Sequence, residues 1–156
     1  MRVLFVCSGN ICRSPMAAEY TRRCAAREGL SQVVVESAGL LGIEGAPASP
    51  EAVQVLREAG IDLSRHRSRG LEEEDLVFSD LVLVMERGQR EEIDRRFPGW
   101  KPRIRLLRAF ERSPTPISEA PDLEDPIGLL ADVYRERFQA IRTCVDHLIL
   151  HLKQAP

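Results

Sequence analysis

Apolar positions along this chain follow two rhythms. Short continuous runs, Val3-Leu4-Phe5-Val6, Val33-Val34-Val35 and Leu81-Val82-Leu83-Val84-Met85, predict buried strands. The last of them predicts a strand covered on both faces. Arg103-Ile104-Arg105-Leu106 alternates instead, which suits a half-solvated strand at a sheet edge. Elsewhere the apolar spacing lengthens to that of a helix packed on one side. Ala17, Tyr20 and Cys24 mark such a face over Pro15 to Glu28, with Gly29 as its stop. Ser49-Pro50-Glu51 starts another helix, a side-chain cap followed by proline, and Ala52, Val53, Leu56 and Ala59 share its face until Gly60. Val33-Val34-Val35 ends at Glu36-Ser37-Ala38-Gly39, and 40–48 reads as a loop on which a substrate could rest. Glu72-Glu73-Glu74-Asp75 predicts the acidic first turn of a short helix. A polar helix is predicted over Glu86 to Phe97, closed by Pro98-Gly99. From Leu129 a last helix carries Leu130, Tyr134, Phe138, Ile141, Val145, Leu148 and Leu152 as a core-facing stripe, with Cys144 packing at its border.

The order β-loop-α-β-α-α-β-α-β-loop-α predicts the α/β class. The expectation is a single domain over 1–156, in three layers, with a four-stranded, mainly parallel sheet and helices on both faces. Such sheets bind ligands beyond the carboxyl ends of their strands, near the topological switch point.

Composition narrows the class. A chain of 156 residues can bury a real core. A net charge of −2 carries no nucleic-acid footprint. No apolar run is long enough to span a bilayer, and the chain opens directly on a strand, without the pattern of a signal peptide. The four cysteines, Cys7, Cys12, Cys24 and Cys144, are too few and too unevenly spaced for a disulfide scaffold, so a reducing cytoplasm fits best. Cys7 and Cys12 have no second close pair, and His66, His147 and His151 are scattered, which is a poor zinc pattern. The expectation is therefore an enzyme without metal or other cofactor. Nothing in the pattern specifies an oligomer.

The candidate chemistry lies where the first strand meets the first helix, in Cys7-Ser8-Gly9-Asn10-Ile11-Cys12-Arg13-Ser14. Ser14-Pro15 reads as the helix start, with Ser14 as cap. Several N–H groups at this junction lack carbonyl partners and can converge on an anion. Gly9 allows a tight turn with positive φ, and Arg13 offers a planar fork that fits two phosphate oxygens. A thiol beside a helix N-terminus and an arginine is favoured as its thiolate, so Cys7 is placed to attack phosphorus. Such cleavage needs a proton for the leaving oxygen. The loop from Ser113 to Pro126, with four prolines and four acids, ends in Asp122-Leu123-Glu124-Asp125-Pro126. Proline after Asp125 fixes where that carboxyl points, making Asp125 the preferred acid and Asp122 the competing, more structural candidate. Arg65, Arg67 and Arg69 around His66 form either an anion-steering patch or a solvated basic turn.

Val6 to Pro15 and Asp125-Pro126 resemble the signature loop and acid loop of the low-molecular-weight protein tyrosine phosphatases. The resemblance extends to Glu36-Ser37-Ala38-Gly39 and Leu83-Val84-Met85. It implies metal-free hydrolysis of phosphorylated proteins or peptides through a phosphocysteine on Cys7. Arg13 and the loop amides would hold the phosphoryl oxygens and Asp125 would protonate the leaving group. Ser14 would hydrogen-bond the thiolate, and Asn10, Ser37 and His66 would hold the loop. Cys12 would pair reversibly with Cys7 under oxidation, or simply line the loop. The acid loop continues Ile127-Gly128, without the aromatic residues common in this family. With Asp132-Val133-Tyr134, this is similar to a bacterial branch that includes protein arginine phosphatases. That branch usually has threonine where this chain has Ile11, whose bulk suits an aryl leaving group. Phosphotyrosine is the first expectation and phosphoarginine the alternative. Thiol-dependent arsenate reductases share the loop, but need two further relay thiols. Only Cys24 and Cys144 remain for that, each within a helical pattern.

Overall fold

The computed structural model describes residues 1–100, 103–111 and 121–154. The chain order is β1 (Arg2–Cys7), α1 (Arg13–Arg27), β2 (Val34–Gly39), α2 (Pro50–Glu58), α3 (Glu73–Phe78), β3 (Leu81–Val84), α4 (Arg87–Arg96), β4 (Ile104–Leu106), and α5 (Ala131–Gln154). A short 3-10 segment, Leu107–Phe110, follows β4 and was not expected. The predicted loop from Ser113 lies outside the described residues as far as 120; its last part, 121–126, is described.

The sheet has four strands in the order β2-β1-β3-β4, all parallel in register, with Val3 opposite Val35 and Leu81. The chain steps from β1 outward to β2 and then back across β1 to β3. The switch point therefore lies at the carboxyl end of β1, where Cys7 stands. Alternation along β1 sorts its side chains between two cores. Val3, Phe5 and Cys7 face the cluster built with α1, α2 and α5, which includes Met16, Leu56, Tyr134 and Leu148. Leu4 and Val6 face Leu76 of α3 and Ile93 of α4. This is the predicted three-layer arrangement. Burying one such Leu or Phe side chain is worth about 1.5–3 kcal/mol, so the two faces together fix β1 in the middle of the sheet.

Two local expectations are corrected. The second strand does not stop at Val35 but runs to Gly39, because β1 offers ladder partners for Glu36 to Gly39. Helix α1 starts at Arg13, one residue before Ser14, and Cys12 is its N-cap without a side-chain cap bond. Ser14 does not cap because its hydroxyl is engaged with Cys7 and Asn10. Pro15 still fits in the first turn, where its missing N–H has no helical partner to lose. Ser49, by contrast, caps α2 as predicted, accepting from the Ala52 amide at 3.4 Å.

Gly39 sets how closely the chain after β1 can approach β2. A Cβ there would lie 2.9 Å from each of three backbone atoms, Asn10 N, Gly9 C and Ser8 O. None of these can move without opening the loop. Gly39→Ala is expected to cost about 1–3 kcal/mol, as overpacking does. Urea denaturation measures that loss, and phosphate affinity should fall with it because the displaced atoms belong to the loop.

Candidate active site

Residues 8–12 turn between the end of β1 and the start of α1. The turn depends on Asn10, which takes φ +57°, whereas Gly9, free to adopt positive φ, keeps negative φ. Asparagine tolerates that region because its short amide can bond locally. Here every polar atom of the buried Asn10 side chain is used. Its Nδ2 donates to Ser14 Oγ at 2.8 Å and to Ser37 Oγ at 3.0 Å, and its Oδ1 accepts from the Arg69 amide at 3.0 Å. Its backbone carbonyl accepts from His66 Nε2 at 2.6 Å. The residues expected to hold the loop thus lie around one asparagine.

The Cys7 sulfur, at the end of β1, receives the Asn10 amide at 3.3 Å and lies 3.0 Å from Ser14 Oγ. Because Ser14 Oγ already accepts from Asn10, its own proton is available to the sulfur. Both contacts bring a hydrogen-bond donor to that atom. The side chain of Ser8 is held by Gln89 Nε2 at 3.2 Å.

Arg13 is 1% exposed, which is rare for a guanidinium. Its NH1 donates to the Leu123 carbonyl at 2.8 Å and pairs with Glu86 Oε1 at 2.8 Å. Its NH2 lies 3.1 Å from Asp125 Oδ2. Its Nε is buried with no hydrogen-bond partner. One edge of the fork is thus held by protein, while the Nε–NH2 edge carries an unspent donor and an ion pair that an incoming dianion can replace. Asp125 Oδ1 accepts from the Ile127 amide at 3.1 Å, a local turn that aims the carboxyl back toward Arg13. Asp122, the competing acid, accepts from the Arg87 amide at 2.9 Å and holds the loop to the start of α4.

A cleft of about 170 Å³ opens above the loop. Cys7 and Asp125 line it, and Ile11, Leu41, Ile43 and Ile127 form its walls. Cys12 lines it too, but its sulfur is also placed 3.4 Å from Ser49 Oγ and 3.3 Å from the Tyr134 hydroxyl. Burial pushes the Cys12 thiol up from its ordinary value, against the lowering effect of those two hydroxyls. Cys144 is pushed up to about 12 by burial, and Cys24 is raised by the same cause. These three therefore stay protonated near neutrality.

The arrangement is an anion cradle with a sulfur, an arginine and a carboxyl around one small opening. The family model described as low molecular weight phosphotyrosine protein phosphatase matches residues 2–155. The chain belongs to that family. It is 38% identical over 147 residues to a protein-arginine-phosphatase of Geobacillus stearothermophilus, across 94% of this chain and 93% of that one. It is 36% identical over 144 residues to the probable low molecular weight protein-tyrosine-phosphatase EpsP of Ralstonia nicotianae, across 92% and 90% of the two chains. Among solved structures, a mutant of the YwlE arginine phosphatase with a phosphorylated active-site serine superposes with a TM-score of 0.90. It shares 32% identity and is matched over 99% of this chain and 97% of its own.

Sequence reasoning missed Glu86, Gln89 and the Leu123 carbonyl. Glu86 and Gln89 form a capping box at the start of α4, with reciprocal side-chain-to-backbone bonds. Their spacing of three, directly after a buried strand, was the available signal. The basic turn resolves toward structure: Arg69 pairs with Asp75 at 2.9 Å and Arg67 donates to the carbonyls of Ser64 and His66. Burial lowers the pKa of His66 below its ordinary 6.5, with the bond to the Asn10 carbonyl opposing. A depressed value means that the unfolded chain takes up the proton first as pH falls. The stability carried by His66 is then complete above about pH 6.5 and is lost as pH drops toward the folded value. Urea midpoints measured between pH 7.5 and 5 should fall more steeply for the wild type than for His66→Gln.

Proposed function

We propose that this chain hydrolyses phosphotyrosine in proteins, with Cys7 as nucleophile, Arg13 as phosphate clamp and Asp125 as general acid. Cys7 sulfur attacks phosphorus and the bond to the tyrosine oxygen breaks. That oxygen leaves with the proton of Asp125, which makes phenol rather than phenolate the leaving group. The phosphocysteine is then attacked by water, whose proton returns to Asp125, and phosphate departs from the restored sulfur. The loop amides and Arg13 hold the three equatorial oxygens throughout. Ser8, Gly9, Ile11 and Cys12 contribute the loop itself, while Asn10, Ser14, Ser37 and His66 keep its shape. No cofactor enters this scheme.

The observation that carries the reading is that the hydrogen-bonded Cys7 sulfur and Asp125 line one cleft, while buried Arg13, with its unspent Nε, meets Asp125 through NH2. The phosphorylated active-site serine of the related YwlE mutant supports a covalent phosphoryl-enzyme step here. The aliphatic walls favour an aryl group. A phosphoarginine leaving group would bring a polar guanidine into a cleft with Ile11, Leu41, Ile43 and Ile127 around it and Asp125 as its acid. The second reading, phosphoarginine, is supported by relatives named protein-arginine-phosphatase and by the Ile127-Gly128 continuation. We assign the reaction to a reducing cytoplasm, which the four unpaired cysteines suit. Among the described residues no helix is long and apolar enough to cross a membrane. Cys24 on α1 and Cys144 on α5 are buried in helices, which gives the arsenate-reductase alternative no exposed relay thiol.

Asp125→Ala is expected to lower kcat/KM on phosphotyrosine by about 100-fold or more, the usual range for general acid catalysis. The loss on an aryl phosphate with an acidic phenol should be far smaller. Equal losses would reject Asp125 as the proton donor. Cys7→Ser should abolish turnover and still bind phosphate. The substrate assignment is tested by kcat/KM on matched phosphotyrosine and phosphoarginine peptides, with Ile11→Thr beside the wild type. The wild type should prefer phosphotyrosine and Ile11→Thr should narrow the gap; a wild type that prefers phosphoarginine reverses the assignment.

A further inference from the structure

The carbonyls of Asp122, Leu123 and Glu124 are consecutive along the chain, and each accepts a hydrogen bond from a different arginine. Asp122 O is met by Arg108 NH1 at 3.3 Å, Leu123 O by Arg13 NH1 at 2.8 Å, and Glu124 O by Arg137 Nε at 3.0 Å. The three arginines come from three elements, the 3-10 segment after β4, α1 and α5. From these contacts we infer that Arg108 and Arg137 are positioning residues for the proton transfer, clamping the strand of chain that ends in Asp125. The inference rests on the reading of Asp125 as the general acid.

Several observations favour a clamp over ordinary surface pairing. Arg137 also reaches the Glu124 carboxylate, with NH2 3.1 Å from Oε2, so one fork holds both the backbone and the side chain of a single residue. Its side chain is only 20% exposed although Glu124 is 78% exposed, so the cation is the better fixed partner. Arg108 is in turn held by Glu111 at 2.7 Å. Between these two guanidinium groups, Leu123 donates its amide to the Met85 carbonyl at 2.8 Å and buries its side chain in the α1–α5 core. Asp125 itself, in the next position, has no backbone ladder. Its carboxyl is located by Arg13 NH2 at 3.1 Å, by what precedes it, by Pro126 behind it and by its own turn to Ile127. Rigid anchoring of 122–124 therefore sets where the proton donor stands before any substrate arrives. A misplacement of 1 Å in such a group costs up to about 100-fold in rate.

The test uses the intact enzyme and compares kcat/KM on two aryl phosphates, one with a poor and one with an acidic leaving phenol. Arg137→Met is expected to lose on the order of tenfold on the poor leaving group, a part of the full general-acid contribution. It should lose little on the acidic one, and the inhibition constant of inorganic phosphate should stay within about twofold, because the Cys7 loop is untouched. Arg137→Lys, which keeps the charge but not the fork, should fall between. Added to Asp125→Ala, Arg137→Met should change kcat/KM by less than about twofold, the mark of two residues acting through one step. Arg108→Met provides an independent variant should Arg137→Met fold poorly, as thermal unfolding would report. Equal losses on both substrates, or a full additive loss in the Asp125→Ala background, would overturn the clamp. If Asp125→Ala alone shows no leaving-group dependence, it is the assignment of the acid that fails instead.

Discussion

Arg13 is a cation taken almost wholly out of water, and its burial constrains everything near it. Desolvating such a charge costs several kcal/mol unless opposite charge and hydrogen-bond acceptors offset it. Glu86, Asp125 and the Leu123 carbonyl supply that offset. Each comes from a segment distant in sequence. The start of α4 and the loop before α5 must therefore both close on the start of α1 for the arginine to be tolerated. The same closure gathers the Cys7 sulfur, the Arg13 guanidinium and the Asp125 carboxyl at the switch point of the sheet.

The cradle is built on a second constraint, a left-handed asparagine. Asn10 turns the chain so that its own amide points at the Cys7 sulfur, and four neighbours hold it there. Gly39 lets β2 lie against the loop backbone, closer than any Cβ would permit. Neither constraint involves a group that reacts. Together they keep donors aimed at an anion before one is bound, so little reorganisation is left for the reaction itself. The cleft above is walled largely by aliphatic side chains. Ile11 reaches it from within the loop, while Leu41, Ile43 and Ile127 reach it from loops after β2 and before α5.

The layer architecture, the position of the switch point and the kinds of side chain gathered there can all be read from the chain alone. Strand runs, helical spacing, and the Ser49-Pro50 start are local signals, and local propensity and hydrophobic period decide them. Cys7, Arg13 and Asp125 were legible because a thiol, a guanidinium and a carboxyl before proline are few in kind and sit at readable junctions. Where that local reading went astray, long-range contacts had overruled it. Ser14 looked like a cap, but Asn10 and Cys7 claim its hydroxyl. Gly9 is free to take the left-handed position, but the bonds to Ser37, His66 and Arg69 stabilise Asn10 there instead. The second strand looked shorter than it is, because ladder partners on β1 are not visible from Val33 to Gly39 alone. That Glu86 pairs with Arg13, and that Arg108 and Arg137 meet the carbonyls of Asp122 and Glu124, depends on the assembled fold. Charged residues are common on helix surfaces, and no period or spacing distinguishes those that meet a partner across the fold.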